Sequence, residues 1–402
     1  MATTIEAKYR IVTPLFCAGA DPDRAELRLP SFKGVLRFWW RALAWSRCRG
    51  NLGEIKRQED ALFGSTGTGQ SRVLIRLDLP SGLQQIRPPT LLQASAGRVV
   101  GEGARYLGYG VIEAFGRKPR DARPETKAGQ LTRACLRAPL EFTFRLRTRD
   151  LAPNSLDSLT NALIAMGTFG GLGAKSRKGY GSLVLRSVRI NGAAKWSAPG
   201  TLDELNAAIA AFYSGGMSDD FPEFTALSKR TRHVLLCADT KEPLEILDLV
   251  GREIVRFRSW GRNGKILGGS IDSEKLFRDD HDLMKAPCDS RTAHPRRIAF
   301  GLPHNYGKPK DQQVGPHDAH LDRRASPLFI HIHECGETPV AVLSFLPARF
   351  LPKGNSDVSV GGKRVSQAPE NELYRPIHAF LDRLLDANQR KEPFTSAVEV
   401  KP

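Results

Sequence analysis

Stretches of strict apolar–polar alternation, separated by helical patterns in a fixed order, constrain this fold more than any other feature. Residues 4–13 set Ile5, Ala7, Tyr9 and Ile11 against Glu6, Lys8 and Arg10, the period-two signature of a half-buried strand. Residues 72–79 repeat it, with Val73, Ile75, Leu77 and Leu79 opposite Arg72, Arg76 and Asp78. Phe142, Phe144 and Leu146 oppose Thr143, Arg145 and Arg147 in a third strand over Glu141–Arg149, and a fourth is predicted at about Ser182–Ile190. A helix is predicted from Ser31, whose hydroxyl suits an N-cap, to about Arg49, and another over Ser155–Met166. The order β-α-β-β-α-β is that of the ferredoxin-like (RRM-like) split βαβ unit, an α+β fold whose two helices cover one face of an antiparallel sheet. The charged alternates then line the other face. Three partners remain open for it: local pairing with Glu6, Asp78 and Glu141, a second domain, or RNA.

The second half reads as a degenerate repeat, so the chain divides into residues 1–195, with a basic insertion at about 80–138, and residues 196–402, with a polar insertion at about 261–295. A helix at Thr201–Ser214 leads into it. A strand follows at His233–Asp239, then a helix at Leu244–Trp260 and short strands near Arg297–Leu302, Pro327–His333 and Val340–Leu346. An amphipathic helix over Glu372–Asp386 closes the pattern. Ile254-Val255-Arg256-Phe257-Arg258-Ser259-Trp260 echoes Val35-Leu36-Arg37-Phe38-Trp39-Trp40-Arg41 at the same place in each half. Tandem ferredoxin-like domains with insertions are therefore expected.

Charge narrows the function. Lys and Arg number 60 against 43 acidic residues, a net charge of +17. Arg24–Arg57 holds nine cations and two acids, Arg117–Arg149 ten and three, and Gly171–Arg189 five and none. Clustered positive charge of this kind is the electrostatic footprint of a nucleic-acid partner, with an acidic protein or an anionic membrane surface as competing readings. No apolar run approaches the ~18 residues that would span a bilayer, and the first residues lack an export signal's apolar core. The six cysteines stand far apart without a Cys-x-x-Cys pair, which disfavours a zinc ribbon and a secreted disulfide framework. A reducing cytoplasm fits these features.

Two segments concentrate the binding chemistry. From Ser31 the helix carries Lys33, Arg37 and Arg41 four residues apart, so one ridge is cationic and continues the positive end of the helix dipole. Trp40 and Trp45 either stack on bases or pack in the core. Between Gly170 and Gly181 lie five glycines and three cations, Lys175, Arg177 and Lys178. Gly171, Gly173 and their neighbours would let bare amides approach an anion, and Lys178-Gly179-Tyr180-Gly181 partly matches the RNA-recognition signature, with Tyr180 as the aromatic. The loop is neither a P-loop nor a dinucleotide fingerprint, because Ala174 breaks the first pattern and no parallel βαβ unit surrounds it. A sharp helix-to-strand turn is the plain structural alternative.

Neither segment carries a catalytic base, nucleophile or metal ligand, so no enzymatic activity and no cofactor is expected. All nine histidines lie at or beyond His233. His331, His333 and Cys335 share a strand face, a spacing that can hold a metal but lacks a fourth ligand. Asp279-Asp280-His281-Asp282 and His317-Asp318 with His320 fall in polar loops, where a metal-dependent hydrolase would need rigid elements.

Ser31-Phe32-Lys33-Gly34-Val35-Leu36-Arg37 resembles the Ser-x-basic-Gly-x-Leu-Arg motif of the RAMP superfamily of CRISPR proteins, whose other hallmark is a glycine-rich loop near a ferredoxin-like strand. Thr13-Pro14-Leu15-Phe16, Gly19-Ala20-Asp21, Leu36-Arg37-Phe38-Trp39-Trp40-Arg41-Ala42-Leu43 and Gly170-Gly171-Leu172-Gly173-Ala174-Lys175-Ser176-Arg177 are similar to the first-subunit family of the type III-B (Cmr) effector complex, and Arg323-Arg324-Ala325-Ser326-Pro327-Leu328 resembles its C-terminal half. The resemblance implies a non-catalytic RNA-binding subunit of a ribonucleoprotein for antiviral defence. It would cap the complex near the 3′ region of the guide RNA (crRNA) and the guide–target RNA duplex, beside other Cmr RAMP subunits. The family's motifs fall on Lys33, Arg37, Arg41, Lys175, Arg177 and Lys178. The alternative on the same fold is a metal-independent guide-processing endoribonuclease, with His233, Tyr9 or Tyr180 as the base.

Overall fold

The computed structural model describes residues 2–94, 97–119, 124–149, 151–260, 264–266, 269, 271–307 and 310–400. Arg120 and Arg123 of the basic insertion lie outside these residues, as do parts of the insertion expected at about 261–295.

Strand β1 (Ala2–Ile11) follows the alternation, with Ile5, Ala7, Tyr9 and Ile11 at most 1% exposed. Helix α1 runs Leu29–Arg47, so its start differs from the expected Ser31 cap. Arg28 is the N-cap without a side-chain bond, and Pro30 occupies the first turn, where its missing N–H costs nothing and its fixed φ suits the helix. Helix α2 (Leu52–Phe63) follows at once, capped by Asn51, whose side chain accepts from the Glu54 amide at 3.0 Å. Then come β2 (Val73–Asp78), the inserted short helix α3 (Glu102–Leu107), β3 (Leu140–Arg149), α4 (Pro153–Phe169), β4 (Leu183–Ile190) and the hairpin strand β5 (Ala193–Ser197). The sheet order is β2-β3-β1-β4-β5, antiparallel throughout.

Helix α5 (Leu202–Ala210) leads into β6 (Arg232–Ala238), α6 (Pro243–Arg258), α7 (Arg278–Lys285), the hairpin β7 (Leu328–Cys335) and β8 (Thr338–Phe345), α8 (Arg375–Leu385) and β9 (Phe394–Val400). These strands form a second antiparallel sheet in the order β7-β8-β6-β9. Within each set of four, the second strand in sequence is followed across the sheet by the third, first and fourth. The fold is α+β with antiparallel sheets. Three expectations change. The strand expected near Arg297–Leu302 is a 3-10 turn over Arg296–Phe300, the polar insertion runs on to β7, and β9 closes the sheet after the last helix.

Every residue of β7 is buried because the second sheet is covered on both faces. Val234, Ile330 and Ile332 join the core under α6 and α8, whereas Leu235, Phe329, Val340 and Val342 pack with α1 and α4 of the first half. Phe329 sits 5.9 Å from the Trp39 ring and 6.1 Å from Phe38. The basic insertion also packs against the second half. Asp248 of α6 accepts the Gly103 and Ala104 amides at 2.7 and 3.1 Å, and the Gly103 and Gly251 backbones touch too closely for any Cβ.

Candidate nucleic-acid interface

The cationic ridge of α1 faces protein. Arg37 Nε donates to Glu59 Oε1 at 2.7 Å and Arg41 Nη1 to the same oxygen at 3.1 Å. Glu59, on α2, is 5% exposed. Lys33 Nζ donates to the Phe63 carbonyl at 3.1 Å, at the negative end of the α2 dipole. A four-residue spacing puts all three cations on one side of α1, and that side meets α2. The expectation of a free phosphate-binding ridge is thus corrected: Lys33, Arg37 and Arg41 fasten α1 to α2. The tryptophans are core, with Trp40 Nε1 donating to Ser158 Oγ at 3.1 Å and Trp45 4% exposed.

The glycine loop lies beside α1. Gly34, Val35, Phe38 and Trp39 share with Gly170, Gly171, Ser176, Arg177 and Phe329 the lining of a cavity of about 210 Å³. The loop itself is a joint between the two halves. Ile330 N donates to the Arg177 carbonyl at 3.1 Å. At Gly179, φ is +85° and a Cβ would stand 2.4 Å from Leu247 Cδ1 of α6; at Gly173, φ is +75° and a Cβ would meet the Phe16 carbonyl at 2.4 Å. Only glycine fits both places. Half of the twelve amides from Gly170 to Gly181 are spent internally, among them Ala174 N on Phe16 O at 2.7 Å, Leu172 N on Gly181 O at 2.9 Å and Gly181 N on Pro14 O at 3.0 Å. Those of Gly171, Gly173, Lys175, Ser176, Arg177 and Gly179 donate to no group among the described residues. The turn itself thus takes up half of the amides of the expected anion cradle, and Gly171 is buried.

The loop's side chains divide by role. Tyr180 is fully buried, donates to the Ala104 carbonyl at 2.8 Å and meets Phe16 edge-on, so it cannot stack on a base. Arg177 lies over the Phe329 ring at 4.5 Å and the Phe38 ring at 5.6 Å and donates to the Ser326 carbonyl at 3.2 Å. Burial, with Arg324 nearby, pushes its guanidinium down to about 10. Arg177 is therefore bound into the seam between the halves. Lys175 and Lys178 have no hydrogen-bond or ion-pair partner among the described residues. Burial, with exposed Arg133 and Arg323 adding repulsion, lowers the Lys175 ammonium below its usual range. Burial, then Arg258, Lys175 and Arg177, pushes Lys178 down to about 7. Cations thus outnumber local carboxylates at this seam.

On the face of the first sheet that carries its charged alternates, Arg145 pairs with Glu6 and Asp78, and Arg10 meets Glu141 at 3.4 Å and Glu334 of β7 at 3.3 Å. Local pairing and the second half therefore each take part of that face. Lys8, Arg147 and Arg189 remain exposed there without a carboxylate among the described residues.

His331 and His333, whose spacing could hold a metal, are buried in the fold. His331 Nδ1 lies 2.8 Å from the Gly170 carbonyl, and burial pushes the ring down to about 4. Among the described residues no group of three or more His, Cys, Asp and Glu side chains is arranged to hold a metal ion. The Asp279–Asp282 run is on α7 rather than in a loop. There Asp280, 2% exposed, accepts the Arg296 and Arg297 amides at 2.9 and 2.8 Å.

The sequence pattern of the RAMP superfamily matches residues 8–184. The chain is 30% identical over 187 residues to the CRISPR system Cmr subunit Cmr1-2 of Pyrococcus furiosus, covering 44% of this chain and 92% of that protein. It is 24% identical over 339 residues to the Cmr1-1 subunit of the same organism, covering 82% and 83% of the two chains. The crystal structure of apo Cmr1 from Pyrococcus furiosus shares the fold, with a TM-score of 0.52 at 18% identity over 99% of this chain and 98% of that one.

Proposed function

Because this chain belongs to the RAMP superfamily, as a Cmr1 subunit of the type III-B CRISPR complex, we propose that it is a non-catalytic RNA-binding subunit that grips the 3′ region of the guide RNA and the guide–target duplex. It would act in the cytoplasm beside other Cmr RAMP subunits and need no cofactor. No described helix is long and apolar enough to cross a membrane. The matching strand permutation of the two sheets supports two ferredoxin-like modules in tandem.

The observation that carries this reading is the surplus of cations at the seam. Lys175 lies near Arg133 and Arg323, with Lys178 behind it, and none of the four has a carboxylate partner among the described residues. Such a cluster repels itself until anions arrive, and a sugar-phosphate strand supplies them at regular spacing. A grip without base readout suits a guide-holding subunit, because base pairing reads the target.

The endoribonuclease alternative finds less support. His233 is 2% exposed, lies 2.5 Å from Tyr213 Oη and 2.8 Å from Ser344 Oγ, and is pushed by burial down to about 3. Tyr9 donates to the Leu163 carbonyl at 2.8 Å, and burial raises both its hydroxyl and that of Tyr180. All three candidate bases are sealed from a 2′-hydroxyl. The test is incubation of the purified protein with repeat RNA in chelator. Retention of intact RNA is expected, whereas discrete products abolished by His233→Ala would overturn the reading.

A further inference from the structure

Tyr180, the aromatic that the sequence offers for stacking on a base, is spent on holding a turn of the basic insertion. Its hydroxyl donates to the Ala104 carbonyl of α3 at 2.8 Å, and the chain turns just after this helix at Gly108-Tyr109-Gly110. A Cβ at Gly108 would stand 2.7 Å from Ile112 Cδ1 and 3.2 Å from Tyr180 Cε2, so the turn lies directly on the buried ring. Gly110 has a φ of +90°, and a Cβ there would stand 3.9 Å from Lys175 Nζ. The two glycines thus abut the glycine loop at two places, one at its buried tyrosine and one at its unpaired lysine.

Tyr109 stands between them. Its side chain is 68% exposed, more than any other large apolar one among the described residues. The backbone that carries it is fixed. Tyr109 N donates to the Tyr106 carbonyl at 3.2 Å, and the amides of buried Val111 and Ile112 both donate to the Gly108 carbonyl at 2.9 Å. Thr132 closes the other side, with its amide on the Val111 carbonyl at 3.1 Å and its hydroxyl on the Gly110 carbonyl at 3.3 Å. Those two bonds bring exposed Arg133, the next residue, to the same turn. A scattered exposed tyrosine needs no explanation. A tyrosine held out from a rigid turn beside Lys175 and Arg133 has the make-up of a single-strand platform, with cations for phosphates and one π-face for a base.

We propose that Tyr109 is a stacking platform for one unpaired base of the bound strand. The platform rests on the RNA-binding reading above and adds to it a contact that is neither ionic nor sequence-specific, since every base has a π-face. It gives the basic insertion a role, because α3 and its turn carry an exposed aromatic to a loop whose own is buried. It also defines the strand at this step as single, because a base within a duplex is already stacked on its neighbours.

The test follows anisotropy of the full chain with two oligonucleotides of equal length and charge, oligouridylate and its abasic counterpart, over a salt series. The wild type should bind oligouridylate about fivefold or more tightly than the abasic strand, the effect of one base stack, with the same log–log salt slope for both. Tyr109→Ala should remove that preference and leave the slope unchanged. Tyr109→Phe should keep it, and Tyr109→Leu, apolar but without a π-face, should lose it. Arg133→Ala should weaken both strands alike and reduce the slope by about 0.7. An unaltered melting temperature is expected for all three Tyr109 variants, because the side chain is so exposed, and it separates a lost contact from a lost fold. A preference for oligouridylate that survives in Tyr109→Ala or Tyr109→Leu, or is absent from the wild type, would overturn the platform and leave the backbone grip standing. Failure of the wild type to bind either strand would sink the RNA-binding reading and the platform with it.

Discussion

Glu59→Gln isolates the clamp that pairs Arg37 and Arg41 of α1 with α2. The carboxylate side chain is 6% exposed, while Arg37 and Arg41 are 32% and 39% exposed. The substitution therefore removes a buried charge without stranding another, since both guanidiniums can turn to water. What is lost is two charge-assisted hydrogen bonds, each ordinarily worth about 1.5–3 kcal/mol before the arginines regain hydration. Exposed pairs contribute only ~0–1 kcal/mol and fully buried pairs cost about 3–5 kcal/mol to break, so a net loss of about 2 kcal/mol is expected for this half-exposed pair. In a domain of ordinary size that lowers the melting temperature of the first half by about 4–8 °C. Calorimetry of Glu59→Gln, Arg37→Gln and the double variant gives a full cycle. The arginine change should add little once Glu59 is gone, with a coupling of about 1 kcal/mol or more. Additive losses, or a melting temperature within about 1 °C of wild type for Glu59→Gln, would refute the clamp.

Two further outcomes follow from the loop. Gly179→Ala forces a Cβ into Leu247 at a φ of +85°, so it should destabilise the protein by about 2 kcal/mol or more in urea unfolding; a neutral effect would mean that the loop is not pinned between the halves. Lys178 links pH to both stability and binding. Its pKa of about 7 in the fold lies below the ordinary 10.5, so the unfolded chain binds more protons between those values. Stability of the free protein should therefore rise as pH increases from 7 toward 10.5, by at most about 5 kcal/mol at 1.36 kcal/mol per unit. RNA affinity should run the other way, strongest below pH 7 and falling above it as the ammonium loses its proton, and Lys178→Met should flatten both trends. Identical pH profiles for wild type and variant would contradict the assignment.

Much of the fold was legible because alternation reports burial directly. Ile5, Ala7 and Tyr9 and then Phe142, Phe144 and Leu146 point inward as their spacing requires. Helix α1 was placed within two residues, the difference being Pro30, which belongs in a first turn and outweighs the serine after it. Helix α2 went unseen although Asn51 and Glu54, three residues apart, are a cap signal. That omission had the largest consequence, because α2 carries Glu59. A cationic ridge reads the same whether it faces phosphate or a carboxylate from an unrecognised helix. Tyr180 misled for a related reason: a Gly-aromatic-Gly run suits both a base platform and a tight turn with its ring in the core. Pairings such as Arg186 with Glu334, far apart in the chain, have no local signature. The unpaired state of Lys175 and Lys178 likewise emerges only when the two halves meet.

The salt dependence of RNA binding tests the seam most directly. A strand held at ~5 phosphates should give a log–log slope near −3.5 for single-stranded RNA, each lost contact removing about 0.7. Replacing Arg133, Lys175 and Arg323 together with Ala should flatten the slope by about 2, while Arg37→Gln with Arg41→Gln should leave it unchanged. The reverse pattern, a slope that ignores the seam and responds to the two arginines on α1, would contradict it.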